Sequence, residues 1–155
     1  LAQKNIPHGN FYISDITKCS PQGNYDLITL IDIAEHIEDD ISAFKNLLPV
    51  CNKYLIIVTL EGKMRSFESE IGHVRNYKPG ELKAKLVSTG FTILKQINWG
   101  WPLYSPIYRN MSNGIAAHKS NISVIKKILG YFMYMVLSIN LPCKGDLLIT
   151  LAQKK

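Results

Sequence analysis

At 155 residues the chain is long enough for one domain with a real core and short for two. A hydrophobic content of 46% with 19% charged residues excludes a disordered chain. The formal net charge of +6, from 18 Lys and Arg against 12 Asp and Glu, is modest and scattered. It attracts phosphate-rich or anionic-lipid surfaces weakly and does not argue for nucleic-acid binding. Cys19, Cys51 and Cys143 lie far apart without a Cys-x-x-Cys pair. That excludes a zinc ribbon and fits a reduced, cytoplasmic compartment.

From the amino end, Leu1-Ala2-Gln3-Lys4 has neither an initiator Met nor the charged-then-apolar pattern of a signal peptide, so the chain is expected to start inside a longer fold. Residues 11–14 are a short strand candidate, followed by Asp15 and a turn-prone stretch over 18–24. Residues 27–31 form a continuous aliphatic and β-branched run, the mark of a strand covered on both faces. That run ends at Asp32 and leads into Glu35-His36 and the triplet Glu38-Asp39-Asp40, which places anions where a helix N-terminus favours them. Ile41, Phe44, Leu47 and Leu48 follow at helical spacing as far as Pro49. Residues 54–60 are a second apolar strand, and strand, helix, strand with short links predicts a parallel βαβ unit. The polar stretch 61–77 predicts a loop at the carboxyl edge of the sheet. Residues 79–88 predict a helix with Leu82, Leu86 and Val87 on one face and Gly90 as its stop. A third strand is expected at 91–97, an aperiodic stretch rich in Pro, Tyr, Trp and Asn at 100–120, a long apolar helix at 122–141 and a last strand at 146–152.

Four strings stand in a telling order: Asp32-x-x-Glu35-His36; Gly72-His73-Val74-Arg75-Asn76-Tyr77; Glu81-Leu82 running to Ser88-Thr89-Gly90-Phe91; and Gly145-Asp146-Leu147-Leu148-Ile149. In this the chain resembles the C-terminal half of class I S-adenosylmethionine (SAM)-dependent methyltransferases, in the type 11/23-like branch with D-x-x-E-H and G-H-x-R strings. The resemblance implies an α/β, Rossmann-like sheet, N-terminally truncated, with its last strand antiparallel and strands ordered 4-5-7-6 in the family's numbering. It divides the chain into a third-strand remnant (1–24), a βαβαβ core (25–98), an aromatic loop and apolar helix insertion (99–144) and a final strand (145–155). The family's glycine-rich loop after its first strand, and the acidic residue ending its second, have no counterpart here. Residues 11–14 are thereby left without a native neighbour, and the free edge of 27–31 is an aggregation hazard.

The same resemblance implies SAM as cofactor. Asp15 would accept a hydrogen bond from the adenine amine, Ile16 would offer its backbone N–H, and Asp32 would stand at the ligand edge of the sheet. Asp15 also reads as a turn-initiating residue. Methyl transfer from a sulfonium is an in-line displacement that needs alignment and often removal of a proton from the acceptor. His36 or His73 is a candidate general base, being the side-chain type that titrates near neutrality. Relatives in quinone biosynthesis and small-RNA 2′-O-methylation imply another use, a divalent ion such as Mg held by Asp32, Glu35, His36 and His73. A third reading makes Glu35 and His36 braces for the helix start and loop. Arg75 and Tyr77 either fix an anionic substrate group or join a loop salt bridge with Glu68 or Glu70. Trp99, Trp101, Tyr104 and Tyr108 offer aromatic faces to an acceptor or pack beneath the insertion.

The expected reaction is therefore methylation of an oxygen, less readily nitrogen or carbon, on a small molecule, glycan or lipid-linked acceptor. From 128 to 141 the apolar run, about 14 residues, falls short of the ~20 that span a bilayer. Opened by Lys126 and Lys127, the helix at 122–141 suits a membrane surface, a lid over a greasy acceptor, a buried site or a homodimer contact. The rival reading of the whole chain is a non-catalytic binding module or a degenerate methyltransferase remnant.

Overall fold

Four strands form one sheet: β1 (Tyr25–Ile31), β2 (Cys51–Leu60), β3 (Phe91–Trp99) and β4 (Leu147–Lys154), in the order β1-β2-β4-β3. In the computed structural model, which describes residues 2–111 and 124–155, β1 and β2 pair in parallel and β4 runs antiparallel to both β2 and β3. This is the strand order, with a reversed last strand, that the resemblance implies. The helices are α1 (Ala2–Asn5), α2 (Asp40–Leu47), α3 (Ser66–Glu70), α4 (Glu81–Ser88), α5 (Arg109–Met111) and α6 (Val124–Leu137).

The acidic triplet does start a helix. The Asp39 carboxylate accepts the backbone N–H of Ser42 at 3.0 Å, which caps α2 and holds that carboxyl below its ordinary range. The β1-α2-β2 and β2-α4-β3 crossovers step the same way across the sheet, so right-handed connections place both helices on one face. There Phe44 and Leu47 of α2, with Leu82 and Leu86 of α4, bury Leu30, Leu55, Ile57, Phe91, Leu148 and Ala152.

The opposite face departs from the sequence reading. Residues 27–31 were expected to be covered on both sides, yet in β1 only Leu30 is buried, and Leu27 and Ile31 are 50% and 55% exposed. Leu27 with Tyr54, Thr29 with Ile56 and Leu151, and Ile31 with Val58 and Ile149 form cross-strand rows that are exposed or half-buried. The reason is geometric, since the two longer crossover helices both occupy the other face. Residues 11–14 form no strand, and Phe11, Tyr12 and Ile13 are exposed. With no strand edge beside them, their β propensity has no ladder to satisfy.

The other elements differ mainly at their ends. β2 and β3 are longer than expected, α4 starts after Gly80 in the left-handed region (φ 79°), and the loop at 61–77 contains α3. The apolar helix runs over Val124–Leu137, and residues 112–123, where its expected start and the end of the aromatic stretch fall, lie outside the described residues. No described helix is long and apolar enough to cross a membrane. Chain reversal into β4 depends on Gly145, where φ is 131° and an added Cβ would lie 2.1 Å from the Trp99 carbonyl oxygen. Gly145→Ala is expected to destabilise the fold by roughly 2 kcal/mol or more, read as a lowered urea midpoint at unchanged slope.

Candidate functional site

The carboxyl ends of β1, β2 and β3 and the amino end of the reversed β4 meet at one edge of the sheet. A cleft of about 620 Å³ opens there, and its lining includes Asp32, Glu35, His36, His73, Trp99 and Tyr104. Three loops bring these together: the turn after β1, the 61–77 loop after β2, and the aromatic stretch after β3.

Asp32 leaves β1 with φ 51°, the only positive φ at a non-glycine among the described residues, and its N–H donates to the Val58 carbonyl at 3.0 Å. Aspartate tolerates this region better than most side chains, and the bend releases the chain from the sheet into the short 3-10 turn Ala34–His36. The turn is stitched to the next loop in two places. The Glu35 carbonyl accepts the N–H of Val74 at 2.9 Å, and His36 Nδ1 lies 2.9 Å from the Gly72 carbonyl oxygen. A carbonyl oxygen only accepts, so Nδ1 carries the proton and Nε2 of the neutral ring keeps its lone pair. The His36 and His73 rings meet edge to face, 4.6 Å between centroids.

Glu35 is 1% exposed. Its Oε2 accepts the Thr59 hydroxyl at 2.8 Å, whereas Oε1 is buried with no hydrogen-bond partner. His73 is nearly as buried, and its Nδ1 also has none. The four-residue metal set is not assembled: among the described residues no group of three or more His, Cys, Asp or Glu side chains is placed to share an ion. Glu35 is turned to Thr59, and Nδ1 of His36 is committed to Gly72.

Arg75 and Tyr77 are turned away from the cleft, in place of the substrate contact expected of them. Arg75 Nη1 pairs with Asp40 at 2.6 Å, not with Glu68 or Glu70, and Nη2 donates to the Glu38 carbonyl. Fully buried Tyr77 donates its hydroxyl to Asp40 at 2.9 Å, with Lys85 pairing to the same carboxylate and standing over the ring. Burial, and next the Asp40 charge, push the Tyr77 hydroxyl far above its ordinary pKa. These side chains lock the loop to α2 and α4.

Of the aromatic cluster, Trp99 and Tyr104 line the cleft with ring centroids 5.5 Å apart, and Trp101 is 43% exposed outside it. The sequence reading missed the cleft floor. Arg109, 2% exposed, donates to Asp146 at 2.7 Å and to Glu68, which is fully buried. Arg65 adds a bond to Asp146 at 2.9 Å, and its backbone N–H donates to Glu68 at 2.7 Å. Burial, with the Arg65 charge alongside, lowers the Arg109 pKa to about 10, so it stays charged at neutral pH. One signal pointed to it: Arg109 is the sole charged residue between Lys95 and Lys119.

No family model matches the chain, and no curated protein matches it. Solved structures do. Over 99% of this chain it superposes on magnesium protoporphyrin IX methyltransferase from Synechocystis with bound S-adenosylhomocysteine (TM-score 0.53, 14% identity, 56% of that chain). Over the same share it superposes on an O-methyltransferase of a Brevibacillus brevis polyketide multienzyme with the same ligand (0.57, 14%, 52% of that chain). The fold is that of class I methyltransferases. A similar match to the [4+2]-cyclase SpnF (0.61, 16% identity, 99% of this chain and 60% of that one) ties the architecture to a second named reaction. Fold alone therefore does not fix the chemistry. The chain spans little more than half the length of these structures.

Two of these structures hold S-adenosylhomocysteine, and of the three residues expected here to hold the donor only one lies at the cleft. Asp32 stands at the cleft, but Asp15 and Ile16 do not line it. The Asp15 carboxylate accepts the N–H and hydroxyl of Thr17 at 3.1 and 2.7 Å, which lowers its pKa, and its carbonyl accepts from Lys18 and Cys19. This is the turn-initiating arrangement. The Ile16 carbonyl accepts Asn46 Nδ2 at 2.9 Å, tying that turn to α2. No Gly-x-Gly string occurs anywhere in the 155 residues.

Proposed function

We propose that the cleft is the acceptor side of a SAM-dependent methyl-transfer site, passing a methyl group to an oxygen of a hydroxylated small molecule, glycan or lipid-linked acceptor. The observation that carries this reading is His36: its Nδ1–H is held on the Gly72 carbonyl, which leaves Nε2 free at the cleft. Bound SAM supplies an electrophilic methyl group. His36 takes the acceptor's hydroxyl proton at Nε2, and His73, set edge-on, keeps the ring from turning. The unpartnered Glu35 Oε1 and His73 Nδ1 favour an acceptor with a second hydroxyl, since a buried polar atom left alone costs free energy. Trp99 and Tyr104 supply flat apolar walls for a ring or chain.

With no glycine loop to cradle the methionine end of the donor, the 155-residue chain alone is expected to be inactive and to bind SAM with a Kd above about 100 μM. Isothermal calorimetry reads this directly, and nanomolar binding would contradict it. The test of the function is made on the whole polypeptide that the reading frame encodes. It is incubated with methyl-labelled SAM and catechol, sugar and polyprenyl-linked acceptors. Label recovered as a methyl ether supports the reading; no label in any acceptor class sinks it.

A further inference from the structure

We infer that α6 and the turn after it form a docking face for an anionic lipid bilayer. The helix meets the body of the protein through half-buried Met133, Val136 and Leu137, and then through buried Asn140. On the outward side Ile128, Phe132, Met135 and Ile139 recur at helical spacing and are 64%, 56%, 63% and 67% exposed. That is a continuous apolar stripe with nothing over it among the described residues. Beside it runs a second strip of Lys127, Tyr131, Tyr134 and Ser138, all exposed. Tyrosines with apolar bodies and polar tips, next to a lysine, suit the level of lipid headgroups. Lys127, Gly130, Tyr131 and Tyr134 also line an open groove of about 560 Å³, room for a headgroup beside a cation. At 14 residues the helix is about 21 Å long, too short to span a bilayer but long enough to lie in its interface.

Charge decides between a bilayer and a second copy of the chain. Residues 82–145 contain eight of the 18 Lys and Arg and none of the 12 Asp and Glu; Lys85 and Arg109 pair with carboxylates from outside the segment and do not count toward this face. Lys127 at the start of α6 and Lys144 beyond its end are both exposed. A second copy seated on this stripe would bring lysines to lysines with no acidic residue from this segment to meet them. An anionic membrane supplies the missing counter-charge along with an apolar layer for the stripe. The helix is also fastened to the cleft. Asn140 Oδ1 accepts the N–H groups of Leu103 and Tyr104 at 2.9 and 3.0 Å, and Leu141 N–H donates to the Trp101 carbonyl at 2.8 Å. A bilayer holding α6 thus holds the wall that carries Tyr104, whatever reaction the cleft performs.

The full 155-residue chain is sedimented with phosphatidylcholine vesicles, with and without phosphatidylglycerol. Binding is expected to be about tenfold tighter to the anionic vesicles and to weaken as salt is raised. Phe132→Ser with Met135→Ser should weaken it by about tenfold or more, because the stripe loses two of its largest groups. Val87→Ser, a change at an exposed apolar residue of α4, should leave it unchanged. Circular dichroism checks that each variant keeps its fold. A chain that stays in the supernatant with both vesicle types overturns the inference, as does undiminished binding by the double variant. Light scattering that shows a stable dimer, dissociated by the double variant, would assign the stripe to a second copy and overturn it too.

Discussion

Glu68→Ala is expected to lower stability by about 3–5 kcal/mol, measured by urea unfolding. The magnitude follows from what the substitution strands. Glu68 is fully buried and accepts from the Arg65 N–H at 2.7 Å and from Asn76 Nδ2 at 2.9 Å on one oxygen, and from Arg109 on the other. Without it, two guanidinium groups with 9% and 3% exposed side chains lose a buried carboxylate that both face, and Asp146 carries more of their charge. Burial, with the Arg65 charge alongside, already lowers the Arg109 pKa to about 10, so the pair has little tolerance for losing a carboxylate. Glu68→Gln keeps the shape and should lose less. The double variant Glu68→Met with Arg109→Met removes both charges together and should recover most of the loss. A single-variant cost below about 1 kcal/mol would mean that the network behaves as a surface pair.

Assayed in the same whole polypeptide as the methyl-transfer test, His36→Ala is expected to reduce kcat by about 10²–10⁴ with little change in the KM for the acceptor, if the ring acts as the base. The same substitution also removes the bond to the Gly72 carbonyl, so activity alone does not separate chemistry from bracing. Added imidazole does: it restores a missing base and leaves a loosened loop unrepaired. Rescue of kcat supports His36 as the base. A large fall in stability with no rescue would make it a brace, the role Glu35 already performs through Val74 and Thr59.

Where sequence and structure agree, the signal is local. The apolar runs at 27–31 and 54–60, the acidic triplet at a helix start and the Gly90 stop each express chemistry within a few residues, and each appears where expected. Burial was less legible. The residues of β1 are those of a strand with two covered faces, but a sequence records what a strand is suited to meet, and here Leu27 and Ile31 meet little. The site was legible in part for the same reason. Asp32, Glu35 and His36 were marked by their spacing and His73 by its place in the next loop and by the resemblance, and all four line one cleft. Arg75 follows His73 by two residues yet turns the other way, to an Asp40 that helical geometry, not sequence proximity, brings near. Arg109 joins Glu68 across 41 positions from a stretch with no period, so only its isolation in charge marked it.

The placement of β4 has a consequence for how the molecule assembles. β3 precedes it in the chain but touches no other strand of the sheet, because β4 lies between β2 and β3. Until residues 147–154 slide into that slot, β3 has no strand to pair with and the core over Leu148 and Ala152 stays open. Every ladder bond that closes the sheet thus joins distant parts of the chain, Thr59 to Leu148 or Phe91 to Lys154. Such long loops are costly to close before any contact rewards them, which places this fold among the slow folders. Removing β4 should therefore leave β3 without any strand partner, so that a βαβ unit remains with α4 and an unpaired β3 instead of a slightly weaker sheet.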